Sequence, residues 1–97
     1  MAGYKLSPAA EADFADIYRY SILTFGEKRA DLYASDLIDA FDMLGHNQLA
    51  GEDVATIRPD TRRLVHESHA IYYDLIDDCV VRVLRILHQT QDPMRHL

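Results

Sequence analysis

The sequence predicts an α+β fold in the order βααβββ: a twisted, mainly antiparallel sheet with an α-helical hairpin packed on one face. Three observations carry this. Two apolar stripes of helical period stand back to back with one glycine between them. After residue 60 the period changes, and β-branched and aromatic residues crowd into three short runs. A brief strand-like segment precedes the first helical stripe, so every helix face has a sheet to cover.

Each element has its own signals. YKLS reads as the first strand. Ser7 stands where an N-cap belongs and Pro8 suits the first helical position. Phe14, Ile17, Tyr18, Ser21, Ile22 and Phe25 then recur at helical spacing, which predicts a helix over Pro8 to Thr24. Gly26 breaks it. Ala30, Tyr33, Ala34, Leu37, Ile38, Phe41 and Leu44 make a second helix from about Glu27 to Leu44, with Gly45 as its C-terminal cap. So short a connection makes the pair an antiparallel hairpin. GHNQLAGEDVATIRPD has no period and reads as a loop. TRRLVHE, HAIYYDLID and CVVRVLRILH form a meander with turns at Glu67-Ser68 and Asp77-Asp78. The last run is apolar on both faces, as a central strand would be. A two-residue turn at Asp77-Asp78 would put His69, Ile71, Tyr73 and Leu75 on one face with Arg82, Leu84, Ile86 and His88. Ala70, Tyr72 and Asp74 would then share the other with Val81, Val83, Arg85 and Leu87.

Ninety-seven residues suit one domain, 1–97. Apolar content of 48% and charged content of 27% are those of a soluble globular protein. The single cysteine, Cys79, excludes an intrachain disulfide and fits a reducing, cytoplasmic setting. No apolar run is fit to be a signal peptide or to span a membrane. The net charge of −6 argues against a general nucleic-acid binder, so no sequence-specific DNA binding by this chain alone is expected. The charge is uneven. Met1 to Thr56 carries four Lys/Arg against ten Asp/Glu, and Ile57 to Leu97 carries six of each sign. An anionic partner would meet the second half.

The histidines are His46, His66, His69, His88 and His96. None is spaced as a helical zinc pair, so no metal and no cofactor is expected. His69 and His88 can approach each other across neighbouring strands. Beside Arg62, Arg63 and Arg82 they would make a general acid, a general base and a phosphate clamp, a set suited to RNA cleavage through a 2′-hydroxyl. They can equally be half-buried strand residues tied to nearby backbone, and this plainer reading is preferred. No glycine elbow surrounds Ser7 or Ser68, and no glycine-rich phosphate loop is present. Asp13, Asp16, Asp36 and Asp39 read as a solvated helix face. Arg82 and Arg85 lie inside a central strand and need partners, for which Asp74 or Asp92 are at hand.

Several segments carry a family likeness. YKLSPAAEADFADIYRYSILTFG resembles the first strand and helix of the ParE branch of the RelE/ParE toxins. IRPDTRRL followed by ESHAIYY resembles that branch's Gly-Ser-His turn and apolar-Tyr strand, with Glu67 in the glycine's place. RILHQTQDPMRHL resembles its closing signature, with Gln91 where methionine is usual before Asp92. Asn47 also lacks the proline that commonly follows the second helix. The likeness covers nearly the whole chain.

The resemblance implies the toxin of a bacterial type II toxin–antitoxin pair. It implies a non-enzymatic poison of DNA gyrase, neutralised by a ParD-like ribbon-helix-helix antitoxin whose disordered tail wraps the hairpin. Ile17, Ile22, Phe25, Tyr33 and Leu37 are the candidate antitoxin contacts. Arg82, Arg85, His88, Arg95 and His96 are the candidate target contacts. The sister branch, RelE and YoeB, cuts messenger RNA on the ribosome; on that alternative Arg62, His69 and His88 would be catalytic. A third possibility is a degenerate copy that binds antitoxin without being toxic. Here His69 stands where that sister branch has arginine, no terminal tyrosine follows, and the net charge is unsuited to ribosomal RNA. His88 and Arg95-His96-Leu97 are expected to fix the end of the chain to the sheet, or to touch the target.

Overall fold

A computed structural model describes residues 3–97. β1 (Gly3–Leu6) leads into α1 (Pro8–Phe25) and α2 (Glu27–His46). β2 (Glu52–Asp53), β3 (Arg62–His66), β4 (His69–Leu75) and β5 (Val80–His88) follow, and a final turn, α3 (Pro93–His96), closes the chain. The five strands lie in the order β1-β5-β4-β3-β2. β1 runs parallel to β5 and every other pairing is antiparallel.

Local chemistry explains the helix boundaries. Ser7 accepts from the Ala10 N–H at 3.0 Å and donates its own hydroxyl to the Leu84 carbonyl at 2.7 Å. The N-cap therefore also fastens α1 to β5. Gly26 has φ of 90°, a left-handed value that glycine reaches without a Cβ clash, and it separates the two helices by a single residue. Gly45 does not end α2 as expected. The helix runs on to His46 and Asn47 caps it. A Cβ at Gly45 would meet the Gly3 backbone at 2.6–3.0 Å, so this glycine lets α2 lie directly on β1.

Two apolar clusters flank the sheet. Ala10, Leu37, Phe41, Leu44, Ile71, Tyr73, Val81, Val83 and Ile86 form the main core under the hairpin. Val54, Ala70, Tyr72 and Leu87 form a smaller one on the other face, covered by Ile57 and Leu97. The expected loop thus contains the two-residue strand β2 and, beyond it, a lid over the second face.

The β4–β5 register corrects the sequence reading. His69 opposes His88 and Ile71 opposes Ile86, but Tyr73 opposes Val83 and Leu75 opposes Val81. Leu84 is an extra residue, a β-bulge that reverses the facing of everything before it on β5. Val81 and Val83 consequently join Tyr73 in the core, and Arg82 faces Asp74. The turn is also longer than two residues. Ile76 N–H donates to the Val80 carbonyl at 2.9 Å, and Asp77 Oδ1 accepts from the Cys79 and Val80 N–H groups.

Candidate functional site

A cavity of about 710 Å³ forms a groove between the hairpin and the β3–β4 end of the sheet. α1 lines it with Asp16, Ile17, Tyr20, Ser21 and Phe25; α2 adds Arg29, Leu32, Tyr33 and Asp36. Glu67, Ser68, His69, His88 and Gln91 form its floor at the sheet. Tyr20 and Leu32 in its lining are 64% and 59% exposed. Exposed apolar side chains along a groove are the kind of surface that partners cover.

Strand pairing builds the floor. His66 opposes His69, and His69 opposes His88, so three imidazoles stand side by side across β3, β4 and β5. The His69 and His88 rings meet edge to face at 5.4 Å. Tyr33 reaches down from α2, and its hydroxyl shares a 2.6 Å hydrogen bond with His69 Nδ1. Burial holds the His69 imidazole below its ordinary value of 6.5, and His88 and His66 push it the same way. Burial likewise raises the Tyr33 phenol, and Glu67 and Asp36 add to the rise. His88 Nδ1 lies 2.8 Å from the Thr90 hydroxyl and accepts the Thr90 N–H at 3.2 Å. Thr90 thus engages His88 Nδ1 through both its backbone and its side chain.

Of the trio named on the nuclease alternative, His69 and His88 meet but Arg62 stands apart. Arg62 opposes Tyr73, four residues along β4 from His69, which places it roughly 13 Å away along the strand. Its guanidinium donates to the Gly51 and Leu49 carbonyls. The candidate antitoxin contacts divide. Ile17, Phe25 and Tyr33 line the groove. Ile22 is half-buried and outside its lining, and Leu37 is fully buried in the main core, so Leu37 supports the groove from beneath and offers no surface to a partner.

The target-contact candidates are scattered. Arg82 is ion-paired with Asp74 through Nε at 3.0 Å and Nη2 at 2.6 Å. Arg85 does not pair with Asp92, which instead caps Met94. It pairs with Asp13, Nε at 2.7 Å and Nη2 at 2.9 Å, and also donates to the His96 carbonyl. Asp13 is thus no member of a solvated face. Its second oxygen also accepts the Ile86 N–H, which sits just past the bulge on the free part of β5. Sequence spacing gave no signal for this bridge, because its partners lie 72 residues apart. Arg95 is exposed, and His96 and Leu97 are half-buried against the second face. Among the described residues, no helix is long and apolar enough to cross a membrane.

Residues 4–93 match the family described as ParE toxin of type II toxin-antitoxin system, parDE. The chain belongs to the ParE toxin family. It is 34% identical over 94 residues to toxin ParE1 of Mycobacterium tuberculosis strain H37Rv, an alignment spanning 97% of this chain and 96% of that one. It is 32% identical over 97 residues to toxin ParE1 of Caulobacter vibrioides, covering 100% and 99%. A solved structure titled as the chromosomal ParDE TA system from P. aeruginosa superposes with a TM-score of 0.73 at 24% identity, covering 91% of this chain and 96% of that one, which supports the ParE fold.

Proposed function

We propose that this ParE-family toxin acts in the cytoplasm as a non-enzymatic poison of DNA gyrase, and that a ParD-like antitoxin neutralises it by laying its tail in the hairpin groove. Family membership supports the toxin role. The observation that carries the non-enzymatic reading is the placement of Arg62, remote from the histidines and engaged with backbone carbonyls. His88 Nδ1 is likewise already engaged, by the Thr90 N–H at 3.2 Å. The open groove, with Ile17, Phe25 and Tyr33 in its walls, suits an amphipathic tail.

One observation favours a second reading. His69, His88 and Tyr33 do share a single groove, and an RNA endonuclease would use such a cluster. A supercoiling assay with purified gyrase separates the two. Gyrase inhibition with trapped cleaved DNA, reversed by antitoxin, is the expected result. Folded toxin that leaves gyrase untouched but halts translation in a ribosome-containing extract would replace this reading with the nuclease. Complex formation without either effect would mark a non-toxic antitoxin-binding copy.

A further inference from the structure

The groove is chemically polarised. α1 and α2 are antiparallel, so Phe25 and Arg29 sit at the hairpin tip while Asp16 and Asp36 sit at the sheet end, beside Glu67 of the β3–β4 turn. Asp16 and Phe25 are about 13 Å apart along the helix axis. Tyr20, Phe25 and Leu32, all mostly exposed, give the tip its apolar character. The carboxylates of Asp36 and Glu67 have no hydrogen-bond or ion-pair partner among the described residues. Asp16 has one, Arg19 at 3.5 Å, between side chains that are both largely in solvent, and such a pair contributes little. The field at the sheet end is negative where it can be felt: Asp36 and Glu67 both push the Tyr33 phenol up.

We infer that the groove takes its partner in one orientation, with apolar side chains over the hairpin tip and a lysine or arginine of the partner seated among Asp16, Asp36 and Glu67. The inference rests on the groove being the antitoxin's docking site and adds the chemistry of the occupant. Three carboxylates against one guanidinium select a cationic segment, and a cation seated among them gains charge-assisted hydrogen bonds. An acidic segment would meet like charge there. A second copy of this chain is disfavoured on the same ground, since each copy carries −6.

The test is calorimetric titration of the full chain with its ParD-like antitoxin, at low and high salt. Asp36→Asn/Glu67→Gln removes two exposed charges with isosteric groups and leaves both cores untouched. The expected result is binding about tenfold weaker or more for this variant, with a flatter salt dependence, while Arg29→Gln binds as well as wild type or better. Intact binding that is indifferent to salt and to the double variant, or that weakens only on Arg29→Gln, overturns the inference and leaves the docking reading standing. Absence of any complex with the wild-type chain sinks the docking reading and this inference with it.

Discussion

At the residue scale, the Asp13–Arg85 bridge shows how much one carboxylate can hold. Asp13 satisfies two guanidinium nitrogens and a backbone N–H that β1 is too short to reach. The two side chains are 14% and 23% exposed, so the pair is shielded though not dry. Removing one partner of such a pair strands the other, whereas removing both relieves the penalty. Asp13→Ala should therefore destabilise by roughly 2–4 kcal/mol in urea denaturation. Asp13→Ala/Arg85→Met should recover part of that loss, with Ile86 N–H still unpaired. Equal stability for Asp13→Ala and wild type would show that the bridge is decorative. None of this was legible beforehand. Asp13 has the neighbours of a solvent-facing acid, and only the chain's long-range path brings Arg85 to it. The Arg82–Asp74 pair, by contrast, was among the partners expected, because both residues lie in strands joined by one turn.

At the scale of elements, the strongly periodic segments were readable and the exceptions had physical causes. Both helices begin where Ser7 and Gly26 require. The facing of β5 was read correctly only from Arg85 onward, since a bulge at Leu84 leaves no mark on an apolar run. β2 was missed because two residues cannot show an alternation. The histidine row depends on that correct upper register, and it gives the sheet end a pH response. His69 titrates below its unfolded value of 6.5 because the fold buries it and places His88 and His66 beside it. The unfolded chain thus binds the proton more readily. Any stability tied to neutral His69 is whole above 6.5 and declines as pH falls below it, towards the lower folded value. Urea midpoints should begin to fall as pH drops below 6.5, before ordinary carboxylates titrate. His69→Gln should flatten that slope. A variant profile as steep as the wild-type one would assign the slope to other groups.

For the whole molecule, the sheet is covered unequally. The hairpin covers the main core on one face, while the other depends on the segment around Val54 and Ile57 and on Leu97. The closing Arg95-His96-Leu97 can therefore serve the fold, the target or both, and its side chains divide the work. Leu97 packs on the cluster of Val54, Ala70, Tyr72 and Leu87, and the His96 carbonyl accepts from Arg85. Arg95 projects into solvent. Leu97→Ala should lower unfolding free energy by about 1 kcal/mol, the scale for truncating a half-buried leucine. Arg95→Ala should stay within about 0.5 kcal/mol of wild type, as exposed substitutions do. If the toxin contacts gyrase through this end, Arg95→Ala must weaken inhibition of supercoiling at unchanged stability. Leu97→Ala should weaken it only in proportion to the protein unfolded at the assay temperature. Full inhibition by a folded Arg95→Ala protein would confine the closing segment to holding the second face of the sheet. The target surface would then have to be sought among the remaining cations, of which Arg82 is the more open and Arg85 the more enclosed.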